Sequence, residues 1–299
     1  MRADSGSKVS QMAASPAHRL GQIIGYALEV SVLPLLRSVA SDHQLYLDTI
    51  GPRVVRGGRK LITWTDQTGS KSNLDFVLEK GGSDTAQGSP VAFIEVAWRR
   101  YTKHSVNKAG EITQALVPLR RTYSATRPFV GAIVAGTWTQ TGLDHMLNQG
   151  LRVLYIPMHV FVAAFASYNI DIDLREDTTE DFLLLQVSRW DALSQGQREN
   201  LSLSLMTMAP ERFERFREQL DADLRRRVVS VFVLPLTGDG ASYDSSAEAV
   251  LALRAYQQDG ATPGPFVRFE IQVRYSNGDR IDGSFVNESD AIDFLENRV

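Results

Sequence analysis

The stretch from Asn73 to Glu111 constrains this chain more than any other. Two short runs rich in Val, Ile, Phe and Leu, Leu74–Leu78 and Pro90–Ala97, flank Gly81-Gly82 and a small-residue loop, the pattern of a β-hairpin with a long connection. Each run carries one acid among apolar neighbours, Asp75 and Glu95. A carboxylate on a largely buried strand costs several kcal/mol unless it is paired or bound to a metal. Two on adjacent strands repel, and a cation between them is the simplest compensation. Directly after Glu95 the chain turns basic. Acid, acid, then cations suits metal-assisted attack on a phosphate.

Charge is unevenly spread. The 299 residues carry a formal net charge of −3, yet residues 1–130 hold 17 Lys+Arg against 10 Asp+Glu. Seven of those cations lie between Arg99 and Arg127, with Glu111 the one acid among them. A second cluster comprises Arg53, Arg56, Arg59 and Lys60. Both are expected to mark a polyphosphate ligand. With no cysteine, disulfides and thiolate zinc sites are excluded, and a cytoplasmic protein is expected. Residues 1–17 read as a disordered lead without the apolar segment of a signal peptide. The run Val160–Ala166 is too short to cross a bilayer.

Helical periodicity begins near His18 and runs to about Ala40, with Glu29 beside the apolar stripe. Strands are expected at Arg53–Val55, Leu61–Trp64 and the two acid-bearing runs. A helix follows, capped by Thr102 or Ser105 and ending near Tyr123, then a buried strand Phe129–Gly136. A short helix, Thr139–Leu147, and the strand Arg152–Ile156 complete the pattern. The fold class is therefore α/β, a mixed sheet flanked by helices in αβββαβ order over 18–157. A helical segment follows over 158–227, with single helices expected at Trp190–Met208 and Glu211–Arg227. The i,i+4 charge pairs of the latter suggest an exposed or dimer-forming element. A small βαββα unit is expected over 228–299, with its hairpin turn at Ser276–Asp279 and Ser289 capping the last helix.

No Gly-x-Ser-x-Gly elbow, phosphate-binding glycine loop or histidine zinc spacing is present. Glu29 on a helix, Asp75 on a strand and Glu95-Val96-Ala97 on the next, then a helix and another strand, resemble the PD-(D/E)XK nuclease superfamily, in particular its restriction-endonuclease-like members. The likeness covers about residues 18–157. Leu74 replaces the family's proline, and Ala97 stands where the family has its lysine. The resemblance implies that the lysine has migrated to Lys108, with Lys103 the runner-up. It further implies that Asp75, Glu95 and the Val96 carbonyl hold Mg²⁺, and that Glu29 serves a second metal or the attacking water. Arg99, Arg100, Lys103, His104 and Asn107 would contact DNA. The activity implied is Mg²⁺-dependent cleavage of double-stranded DNA by a type II restriction endonuclease, a homodimer with a cognate methyltransferase. The alternatives are an inactive nuclease-like module that binds DNA or protein, and a repair or structure-specific nuclease.

Overall fold

A computed structural model describes residues 15–102, 105–124, 126–175, 177–236, 238–258 and 266–297. Ser15 accepts a hydrogen bond from the His18 amide and caps helix α1 (Pro16–Asp42), which starts two residues earlier than its periodicity suggests. A proline at the first position suits a helix start, where the missing N–H has no partner to lose. One stripe of α1, from Leu20 to Ala40, is buried throughout. By length and composition this helix resembles a membrane span, with a mean hydropathy of 1.5 over its most apolar window. Its apolar stripe packs into the main core instead.

The chain continues through β1 (Leu45–Thr49), β2 (Ile62–Thr65), β3 (Lys71–Leu74), β4 (Phe76–Lys80) and β5 (Ser89–Arg99). Next come α2 (Ser105–Thr122), β6 (Phe129–Gly136), α3 (Gln140–Asn148) and β7 (Arg152–Pro157). Five of these strands form one sheet in the order β1-β4-β5-β6-β7. Pairing is antiparallel from β1 to β5 and parallel from β5 to β7, so the sheet is mixed. Every residue of β6 is buried, as expected of a central strand covered on both faces.

The faces separate by residue parity along β5. Ala92 and Ile94 join the core beneath α1, whereas Phe93 and Ala97 join the core beneath α2 and α3. The β2–β3 hairpin covers the same side through Ile62, Trp64 and Leu74. Beyond β7 lie α4 (Met158–Ala166), α5 (Glu180–Asp191), α6 (Gln195–Met208) and α7 (Pro210–Leu224). Phe161, Phe165, Trp190, Leu205, Phe213 and Phe216 from these helices enter the α1 core. The expected single helix over 190–208 is two helices. Ser194 breaks it by forming a capping box with Gln197.

Two further expectations fail at turns. Val54–Arg56 is a short 3-10 helix, not a strand, and is closed by Gly57 in the left-handed region. The C-terminal helix α9, introduced below, starts at Glu288, which puts Ser289 inside its first turn. The Ala291 amide there bonds the Asn287 carbonyl.

The C-terminal unit comprises β8 (Val228–Pro235), β9 (Ala241–Tyr243), α8 (Ser246–Gln258), β10 (Phe269–Tyr275), β11 (Arg280–Phe285) and α9 (Glu288–Asn297). Its sheet, β11-β10-β8-β9, is antiparallel throughout and contains one strand more than its sequence pattern shows. Alternate residues of β10 (Phe269, Ile271, Val273 and Tyr275) point into a third core with α8 and α9. Gly278, at φ 88°, supplies the tight turn between β10 and β11.

Candidate active site

The β4–β5 ladder decides where the acids sit. Pairing runs Leu78–Ala92, Val77–Phe93 and Phe76–Ile94, then stops. Asp75 is not on a strand as expected: it occupies the bend between β3 and β4. One step beyond the last pair, this bend faces Glu95. Asp75 takes over the role of a ladder carbonyl, its Oδ2 accepting the Val96 amide at 2.6 Å. In an extended strand the N–H and C=O of one residue point to the same side. The Val96 carbonyl therefore lies on the Asp75 side of β5.

Glu95 shares a face with Phe93 and Ala97, beneath α2. Its Oε1 is buried and has no hydrogen-bond partner among the described residues. Burial, then the negative charge of Asp75, pushes its carboxyl up to about 8, with Lys108 acting in the opposite sense. Burial also raises the Asp75 carboxyl, against the Val96 hydrogen bond and the charge of Lys108. From the far side, α1 contributes Glu29, half-buried, its carboxyl pushed up to about 7 by burial and by Asp75. Three carboxyls thus form one electrostatic unit, and Lys108 is the cation that acts on two of them.

Lys108 projects from the second turn of α2. Its Nζ lies 3.0 Å from Glu111 Oε2, one turn along. That i,i+3 spacing is legible in the sequence, although Glu111 drew no role there. The hydrogen bond from Lys108, and then its charge, lowers the Glu111 carboxyl. The start of α2 is fixed by Ser105. Its hydroxyl donates to the Thr102 carbonyl at 2.8 Å and meets the Thr139 hydroxyl at 3.0 Å. Thr139 in turn caps α3 through the Gly142 amide. The two helices above the parallel strands therefore share one anchored origin.

The expected DNA contacts divide. Arg99 and Arg100 are half-buried at the end of β5, and the Nε of each is buried without a partner among the described residues. Arg100 Nη2 donates to the Arg175 carbonyl at 2.6 Å, and its guanidinium lies over the Tyr101 ring. Asn107 is exposed on the first turn of α2. Lys103 and His104 fall outside the described residues.

Half of the second basic cluster is structural: Arg53 and Arg56 are tied up in ion pairs, whereas Arg59 and Lys60 are exposed. Arg53 is 3% exposed and bonds Asp48 at 2.8 Å and Glu79 at 2.7 Å. It also donates to the Ser83 and Ala86 carbonyls, and Arg56 bonds Asp48 at 2.7 Å. The hydrogen bonds that Arg53 donates to Glu79, above all, hold the guanidinium in its charged form. These two arginines tie the loop before β5 to the sheet edge and leave little for a ligand.

Among the described residues no group of three or more His, Cys, Asp or Glu converges as a metal cage. Mg²⁺ does not need one, because it keeps several waters and binds through one or two carboxylates together with substrate phosphates. Asp75, Glu95 and the Val96 carbonyl are hard oxygen donors of that kind. The buried, partnerless Glu95 oxygen is the atom such an ion would satisfy. In comparisons with known proteins, no family model, no curated protein and no solved structure matches this chain.

Proposed function

We propose that this protein is a Mg²⁺-dependent DNA endonuclease of the PD-(D/E)XK type, with a restriction-endonuclease-like core and the activity of a type II restriction enzyme. One observation carries the reading. Asp75 and Glu95 meet where a β-ladder breaks, share the charge of Lys108, and leave a buried carboxylate oxygen without a partner among the described residues. A metal-free structural role would favour pairing that oxygen, since an unsatisfied buried acceptor costs about 1–3 kcal/mol.

Asp75, Glu95 and the Val96 carbonyl hold the ion in this proposal. Bound there, Mg²⁺ would lower the pKa of a coordinated water and offset charge on the scissile phosphate. Lys108 orients the attacking water and contacts the phosphate, in place of the lysine absent at Ala97. Glu29, with its raised pKa, exchanges a proton with water at the edge of the site. Arg99 and Arg100 hold the backbone, a contact that positions the duplex without reading its sequence. A homodimer would match the two-fold symmetry of a palindromic site and cut both strands.

A second reading is a nuclease-like module that binds DNA or protein without cutting. The alanine at 97 and the pairing of Lys108 with Glu111 favour it. The test is incubation with plasmid and phage DNA in Mg²⁺ or EDTA, alongside Asp75→Ala and Lys108→Ala. The proposal expects metal-dependent cutting that Asp75→Ala abolishes, and a loss of at least about 100-fold in Lys108→Ala. Retained DNA binding in a gel shift, with no cutting in any divalent metal, would establish the binding module instead. Discrete bands indicate sequence recognition, whereas a smear indicates a general or structure-specific nuclease.

A further inference from the structure

A second charged site lies on the α7 side of the β6 and β7 starts, where the C-terminal unit meets the sheet. A cavity of about 300 Å³ opens there, lined by Arg120, Arg127, Arg152 and Arg226 with Asp223 and Asp279. Four guanidiniums against two carboxylates leave two positive charges in excess. Arg120 reaches it from the end of α2, Arg152 from the first residue of β7, and Arg226 from the segment joining α7 to β8.

The arrangement is built rather than incidental. Arg226 donates to the carbonyls of Arg127 and Thr126 at 2.8 Å each, and Arg120 donates to those of Gly150 and Gln149 at 3.0 Å. These bonds fix the guanidiniums in place without neutralising them. Arg127 and Arg226 flank the Tyr275 ring, 5.6 and 5.4 Å from its centroid, so β10 of the C-terminal unit forms part of the wall. Arg127 sits at φ 40°, a conformation that a non-glycine residue adopts when its surroundings impose it. Its Nη1 is buried and has no hydrogen-bond partner among the described residues. The acids are poor neutralisers: Arg152 is 3.8 Å from Asp223 and Arg226 is 3.9 Å from Asp279. Asp223 is in addition bonded by the Asn277 amide at 2.7 Å. Burial first, and then the charge of Arg127, lowers the pKa of both Arg120 and Arg226.

We propose that this cavity binds a phosphate monoester. The charge selects the monoester, since a terminal phosphate carries close to two negative charges at neutral pH and a backbone diester carries one. Guanidiniums fit phosphate oxygens through paired N–H donors, and the buried Arg127 Nη1 gains a partner. The volume admits a phosphate with an attached sugar and not a duplex. The phosphate belongs either to a free nucleotide or to the 5′ end of a DNA strand. The site is independent of the nuclease reading: it lies at the opposite ends of the parallel strands from Arg99 and Lys108.

The test is thermal unfolding of the full chain in EDTA at fixed ionic strength, with AMP, adenosine, and a short single-stranded DNA bearing either a 5′ phosphate or a 5′ hydroxyl. EDTA removes the carboxylate site as a competing explanation. The expected result is a saturable rise in Tm with AMP and none with adenosine, and at least a tenfold weakening in both Arg152→Gln and Arg127→Gln. Arg152 lies at the first position of β7, with its side chain 38% exposed, and provides the folded control. Preference of more than tenfold for the 5′-phosphorylated oligonucleotide over AMP assigns the site to DNA ends; the reverse order assigns it to free nucleotides. The proposal is overturned if AMP and adenosine act alike, if both oligonucleotides act alike and AMP has no effect, or if Arg152→Gln binds as the parent does.

Discussion

At the scale of single residues, the site trades stability for charge. Glu95 has an ordinary pKa of 4.5 and is pushed up to about 8 in the folded chain. Between those values the native protein holds a proton that the unfolded chain has lost. Native stability therefore falls as pH rises through that window, and levels off above it. Glu95→Gln, measured in EDTA by urea unfolding, should stabilise the protein at pH 8 by on the order of a few kcal/mol and have little effect near pH 4.5. Added Mg²⁺ should raise the stability of the parent protein most at the alkaline end, where the carboxylate is free to bind, and should leave Glu95→Gln unmoved. Arg53 is the opposite case, a charge spent on structure. Replacing it with Met leaves Glu79 buried without its cation and Asp48 with Arg56 alone, at a cost of about 3–5 kcal/mol in chemical denaturation. Position 97 offers a direct check on the migrated lysine. Ala97 lies two residues from Glu95 on the same face, so the double variant Ala97→Lys, Lys108→Ala should recover cutting that Lys108→Ala loses. Failure to recover in a folded protein would detach Lys108 from the family's lysine.

At the scale of elements, what the sequence made legible depended on the distance over which its signals act. The stripe of α1, the hairpin of β4 and β5, and the alternation of α2, β6, α3 and β7 rest on periodicity within a dozen residues, and these readings hold. Arg53 was misread because its partner Glu79 is 26 residues away and the carbonyls that complete its shell are further still. The basic run from Arg99 to Arg127 was read as one footprint, but α2 separates its members. A helix of 18 residues spans about 27 Å, so Arg99 and Arg127 serve opposite ends of the sheet. The bend at Asp75 left no signal either, because Leu74 and Phe76 keep strand alternation on both sides of it. Gly136, by contrast, marks an element boundary whose need is physical. It ends β6 at φ 92°, and a Cβ there would lie 2.1 Å from the Arg99 carbonyl oxygen. Gly136→Ala must push β5 and β6 apart at their common end, beside the Arg99 contact to Thr137. The expected cost exceeds about 2 kcal/mol, and any DNA-cutting activity should fall with it even where the variant remains folded.

At the scale of the whole molecule, the cores are unequally joined. The α1 core and the α2 core lie on opposite faces of one sheet and share its strands, β4, β5 and β6 among them, so neither can open alone. The third core, built on Val231, Leu253, Ile271, Val273 and Leu295, draws no residue from either. What joins it to the sheet is polar: Arg226 on the Thr126 and Arg127 carbonyls, Asn277 on Asp223, and the Ser276 amide on the Arg227 carbonyl. Polar joints of this kind transmit less cooperativity than shared apolar packing. Calorimetry of the full chain should therefore resolve two transitions. Val273→Ala, at a fully buried position of β10, should lower one of them and leave the other within about 1 °C, since sites with no shared partners contribute independently. Val32→Ala, at an equally buried position of α1, should move the other. A single transition shifted equally by both substitutions would mean that the arginine-lined joint couples the units fully. Binding a phosphate monoester at that joint, as proposed above, adds a further expectation: AMP in EDTA should raise the transition that Val32→Ala lowers and leave the one that Val273→Ala lowers nearly unmoved, because all four arginines precede the C-terminal unit, which adds to the wall only Tyr275 and Asp279.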